Sequence, residues 1–169
     1  MPTHIALLRA INVGGTGKLP MTELRALCEG LGFANVRTYI QSGNVVFESR
    51  LSTKRAQQAL QDALEARLGK RHAVLLRSVE ELASIETRNP FPDADPKQLL
   101  IVLLDAPPPR DALKAVKIPG RERLHLDGRE RFIHFPDGMG RSKLKIPLAG
   151  EGTGRNLNTI RALLRLAAP

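Results

Sequence analysis

Six alternating segments in the first 78 residues constrain this chain more than any other feature. Ile5–Arg9 is an apolar, strand-like run followed by the loop Asn12–Pro20. Met21, Leu24, Leu27, Cys28 and Leu31 then recur at helical spacing, with Gly32 as the stop. Val36–Ile40 and Val45–Phe47 read as strands around Gln41-Ser42-Gly43-Asn44, a turn in which Gly43 or Asn44 takes positive φ. Ser52 or Thr53 opens a helix carrying Ala56, Leu60, Leu64 and Leu68 on one face and closed by Gly69; His72–Arg77 supplies a fourth strand. The order βαββαβ predicts an α+β fold whose first part, residues 1–78, is a ferredoxin-like plait, an antiparallel sheet with both helices on one face.

Residues 79–169 read as a smaller α+β unit with a β-hairpin and C-terminal helices, so that the chain forms one two-part protein. Ser78-Val79-Glu80-Glu81 has capping-box spacing and opens a helix through Leu82 and Ile85, which Asn89-Pro90 ends. Leu99–Leu104 is strand-like, and Pro107–Pro109 separates it from a helix expected over Asp111–Val116. Arg123–Leu126 pairs with Arg131–Phe135 across Asp127-Gly128, which sets His125 opposite Glu130 and leaves both His125 and His134 as surface or edge residues. Two helices close the chain, one from Ser142 and one through Ile160, Leu163, Leu164 and Ala167. A chain of 169 residues buries roughly 70% of its unfolded surface, enough for a proper core without staples.

The single Cys28 excludes an internal disulfide, and its register with Leu24 and Leu31 predicts a buried, inert thiol. Four scattered histidines complete no zinc spacing, so neither a metal nor another cofactor is expected. The N-terminus lacks a basic start and a long apolar stretch, and no run is long enough to cross a membrane, so the expectation is a soluble, cytoplasmic protein without a membrane partner. Oligomeric state has no signal in the sequence.

Charge is uneven. Lys and Arg against Asp and Glu number 11 against 5 in residues 1–78, 9 against 11 in 79–140 and 6 against 1 in 141–169, within an overall +9. Basic ends make nucleic acid a candidate partner. Base stacking has little platform, however, because aromatics are 4% of the chain and only Phe47 falls on a central strand. Gly14-Gly15-Thr16-Gly17-Lys18 misses the Walker A pattern at Asn12 and Leu19, and misses the dinucleotide fingerprint at Pro20.

The polar clusters are rich in donors. Arg9, Asn12, Lys18, Gln41, Ser42, Asn44, Arg141, Ser142, Lys143, Arg155, Asn156 and Asn158 include no carboxylate, histidine or cysteine, which disfavours acid-base hydrolysis and suits anion binding. Gly140-Arg141-Ser142-Lys143 and Gly154-Arg155-Asn156 each set an arginine and a capping residue at an expected helix start. A cation there has the wrong sign for the helix dipole unless solvent or a bound anion absorbs it. The expectation is a small phosphate- or carboxylate-bearing ligand at the junction of the two parts. A nucleic-acid-binding module and a ligand-free interaction domain are the alternatives, and no catalytic residue is singled out.

Ile5–Arg9, Ile11–Gly15, Asn35–Phe47, Asn89–Phe91, Gly140–Leu144 and Arg155–Thr159 together resemble domain-of-unknown-function family 1697. The resemblance spans nearly the whole chain and implies the same two-part α+β fold, with no activity attached. Two positions depart from the family pattern: Ala10 stands where glycine is usual and Leu157 where tryptophan is usual, so any stacking by that aromatic is lost here.

Overall fold

Ile5, Ala6 and Leu7 are wholly shielded from solvent because their strand lies between two antiparallel neighbours. This computed structural model describes residues 1–9, 19–39, 43–114, 116–144 and 152–168. Among them the first elements are β1 (Thr3–Leu8), α1 (Met21–Gly30), β2 (Ala34–Tyr39), β3 (Asn44–Glu48), α2 (Thr53–Leu68) and β4 (Val74–Ser78). The sheet order is β2-β3-β1-β4. Ala6, Leu8, Val45, Phe47, Val74 and Leu76 share one core with Leu24 and Cys28 of α1 and Ala56, Leu60 and Leu64 of α2, with Phe33 stacked on Phe47 at 4.1 Å. Burial pushes the Cys28 thiol up to about 12, so it stays protonated and inert at neutral pH.

Local chemistry sets the boundaries. Ser52 accepts a bond from Arg55 N at the start of α2, and Gly69 ends that helix at φ 74°. Gly43, not Asn44, takes the positive φ at 81° in the turn between β2 and β3. Asn35, at φ 48°, accompanies a register shift between Ala34 and Arg37.

The remaining elements are α3 (Val79–Arg88), β5 (Leu99–Leu104), β6 (Arg123–Asp127), β7 (Glu130–His134), β8 (Gly152–Asn156) and α4 (Leu157–Ala167). The capping box at α3 is reciprocal: Ser78 N donates to Glu81 Oε1 at 2.9 Å, and Glu81 N to Ser78 Oγ at 3.0 Å. The second sheet runs β6-β7-β5-β8, all antiparallel. Val102, Leu104, Ile133 and Phe135 form a core cluster on one of its faces. The described residues thus comprise two four-stranded antiparallel sheets and four helices in a mixed α+β fold. Contacts divide the chain into one unit of Met1–Ala83 with Leu163–Pro169 and a second of Ser84–Ala162.

Four local expectations need correction. The helix expected over Asp111–Val116 is not formed over 111–114, where the chain runs in turns with Ala112 N bonded to Pro109 O and Lys114 N to Asp111 O. No helix starts at Ser142 within the described residues; it follows a short 3-10 turn, Met139–Arg141, and Leu144 N bonds back to its hydroxyl. The hairpin turns at Gly128-Arg129, so His125 faces Phe132 and Arg123 faces His134, two residues off the expected pairing, and His134 is buried. Gly154 and Arg155 lie in β8, an element hidden by its glycines.

Space is short at Gly152, where backbone stands close, and tight at Gly154 only against the end of the Leu100 side chain. A Cβ at Gly152 would stand 2.9 Å from Leu104 Cδ2 and 3.1 Å from the Leu103 carbonyl, and one at Gly154 3.0 Å from Leu100 Cδ1. Gly152→Ala is expected to destabilise the fold by roughly 1–3 kcal/mol through overpacking. Gly140→Ala, with no atom near its Cβ, is expected to stay within about 0.5 kcal/mol of the parent. Urea denaturation of both variants measures the contrast.

Candidate functional site

The C-terminal end of β1 lies beside Gly43 and Ala73 in the first sheet. Leu8 N donates to Gly43 O at 2.8 Å and Arg9 N to Ala73 O at 2.9 Å, which places the end of β1 beside the turn after β2. Asn44 is fully buried and donates Nδ2 to Tyr39 O at 3.0 Å, so this amide closes the turn. Arg9 is half-buried at the strand end. Asn12, Lys18, Gln41 and Ser42 lie outside the described residues, as does Ala10.

In the second unit the donors have different surroundings. Asn156 caps α4 by accepting from Thr159 N at 2.9 Å, so a helix does begin where the sequence indicates, and Asn158 is exposed in its first turn. Leu157 is buried at that start. Arg155, however, points along the sheet into protein. It is buried, donates to Thr153 Oγ1 at 2.7 Å and Gly154 O at 2.9 Å, and burial alone brings its pKa down to about 10, which leaves it charged at neutral pH. Ser142 donates to Glu122 at 2.7 Å, while Arg141 and Lys143 are exposed. The strand register puts Arg155 beside Ile101 and Phe132, on the face opposite Val102 and Ile133, against which Leu144 packs. The two arginine turns therefore do not form a symmetrical pair: Arg141 ends a 3-10 turn and Arg155 occupies a strand.

A cleft of about 500 Å³ opens in the first unit. Two helix starts border it, Ser52 and Thr53 of α2 and Ser78, Val79 and Glu80 of α3, together with Thr3, Asn35, Arg37 and Glu48. Arg37 donates Nε to Asn35 O at 3.2 Å and Nη1 to Leu166 O, anchoring the end of α4. His4 also lines the cleft, but both ring nitrogens are sealed within the protein and make no hydrogen bond of good geometry among the described residues. Burial holds its pKa below the usual value, and the nearby Ser49 and Leu51 backbone opposes that shift, so the ring is neutral at pH 7. Sequence reasoning identified both helix starts but not their adjacency, which only the return of β1 between β3 and β4 creates.

The family model described as "Protein of unknown function (DUF1697)" matches residues 1–132. The chain belongs to the DUF1697 family. The fold of this DUF1697 protein is shared with a solved structure of a conserved bacterial protein from Streptococcus pneumoniae, at TM-score 0.82 and 24% identity over 99% of each chain. No curated protein matches it. Among the described residues no helix is long and apolar enough to cross a membrane, and no three or more His, Cys, Asp or Glu side chains group as metal ligands.

Arg155 and Arg141 are expected to respond differently to truncation. Arg155→Ala strands the Thr153 and Gly154 acceptors and is expected to cost roughly 1–3 kcal/mol. Arg141→Ala, on an exposed side chain, is expected to change stability by less than about 0.5 kcal/mol. Thermal melting of the two ligand-free variants tests this, and equal losses would contradict the placement of Arg155.

Proposed function

We propose that this protein binds a small anionic ligand, bearing phosphate or carboxylate, in the cleft of its first unit. The observation that carries this reading is that two helices, α2 and α3, both begin at one cleft. The first N–H groups of a helix have no intrahelical acceptor, and the dipole adds partial positive charge there. Ser52 and Ser78 each satisfy only the third helical amide, on Arg55 and Glu81, which leaves the amides of Thr53, Lys54, Val79 and Glu80 outside the helical ladders. Arg37 supplies a full positive charge beside them. A volume near 500 Å³ falls within the range of about 300–1,000 Å³ found for small-molecule sites. Glu48 and Glu80 line the same space, so the reading favours a ligand with hydroxyl or amino groups beside its anionic end.

The bond from Leu8 N to Gly43 O supports a second reading, in which the same class of ligand lies at the other end of the first sheet. Arg9, Asn12, Lys18, Gln41 and Ser42 are its donors; Asn44 braces the turn.

Thr53→Asp separates these readings. A carboxylate in the first turn of α2 complements the helix dipole and is expected to stabilise the ligand-free protein by about 0.3–1 kcal/mol. The same charge repels an anion in the cleft. Calorimetric titration with inorganic phosphate, glycerol phosphate and a short oligonucleotide is expected to show glycerol phosphate binding to the parent and at least about tenfold weaker binding to Thr53→Asp, a loss of about 1.4 kcal/mol. Equal binding by both would reject the cleft, and tight binding of the oligonucleotide alone would favour the nucleic-acid alternative.

A further inference from the structure

We propose that Arg123, His134 and Asp93 form an acid-released latch that ties the 89–95 connection to the open end of the β6–β7 hairpin. Arg123 and His134 are the ladder pair farthest from the turn at Gly128-Arg129, on a hairpin whose β6 strand is a sheet edge. The guanidinium lies 4.5 Å over the Phe91 ring and directs two donors at one imidazole nitrogen, Nη2 at 2.9 Å and Nε at 3.2 Å from His134 Nδ1. The same Nη2 lies 3.4 Å from both oxygens of Asp93. Phe91 is held in its connection by its own N–H bond to Asn89 Oδ1 and by the bond from Ala94 N to its carbonyl. One arginine therefore clasps three chain segments.

Arginine only donates, so Nδ1 must accept, and the closed latch requires a neutral imidazole with its proton on Nε2. A second proton on Nδ1 would face two N–H groups of a cation. Arg121, ahead of β6 and paired with Asp137, adds another positive charge nearby, and β5 contributes only Leu99 opposite the ring. Asp93 is the acid in reach to receive either cation once they separate. Burial of the ring, followed by the Arg123 charge, holds the His134 pKa below its ordinary value of 6.5, with Asp93 opposing. The sign is then fixed. The unfolded chain takes up its proton first, so the stabilisation is complete above about pH 6.5 and is lost as pH falls towards the lower folded value.

The fold gains a local acid response that leaves the buried strands β5 and β7 paired while the β6 edge and the 89–95 connection loosen. Hydrogen exchange by mass spectrometry at about pH 7.5 and about pH 5.5, corrected for the intrinsic rate, tests it. Peptides covering 89–95 and 121–127 are expected to exchange severalfold faster in acid than at about pH 7.5, while β5 stays protected. In His134→Gln, whose amide oxygen accepts from Arg123 but does not titrate, both segments are expected to stay protected at both pH values. No acceleration in the parent, or equal acceleration in His134→Gln, would overturn the latch. Should that variant fail to fold, imidazole nitrogen NMR of the parent decides: protonation of Nδ1 in step with the release supports the latch, and an Nδ1 that remains unprotonated through the release overturns it.

Discussion

Burial of β1 on both faces is the constraint from which the rest of the first unit follows. A strand with no solvent side must pair along both edges and be covered above and below. Ala6 and Leu8 meet the core shared with α1 and α2, while Ile5 and Leu7 point to the other face, where Asn44, Val46, Leu75 and Arg77 are also buried. Pairing to β3 and β4 sets both edges, and the connections must then cross the sheet ends. That requirement brings the starts of α2 and α3 to one cleft and leaves Arg9 and Gly43 at the opposite end of the sheet. The candidate site is thus a consequence of topology before it is a collection of donors.

The parts legible in the sequence are those whose signals are local. A Ser at the start of α2, a Gly at its end and the reciprocal Ser78–Glu81 pair each carry their own geometry within a few residues, and the structure realises all three. The continuous apolar run Leu99–Leu104 is likewise a central strand with its bounds as read. By contrast β8 has a composition that argues against a strand, because glycine contributes no packing of its own. Gly152 and Gly154 make sense only once Leu100 and Leu104 of the neighbouring strand are in place, and that neighbour is about fifty residues away in sequence. The hairpin register failed for a related reason. Asp-Gly is a strong turn signal, but both Asp127-Gly128 and Gly128-Arg129 satisfy it locally, and the choice is made by which residues of β7 must pair with β5.

Arginine was the least legible residue type, and the reason is physical. Its long apolar stem and five donors suit burial beside backbone carbonyls as well as they suit a bound anion. Arg155 gives its donors to Thr153 and Gly154, Arg37 to Asn35 and the end of α4, and Arg77 to its neighbour Leu76. Arg88 joins Asp127 and the buried Glu130, where removal of either partner would leave an uncompensated charge. Arg161 likewise pairs with Glu86. Arg88 and Arg161 are thereby matched by carboxylates, whereas the bonds of Arg37 go to carbonyls that leave its positive charge uncancelled. The net charge of +9 already subtracts the paired acids and is unchanged by these contacts, and a polyanion partner would draw on that surplus. A small ligand at paired helix starts has no such dependence, because backbone amides fixed by the fold need no surplus of surface charge to receive it.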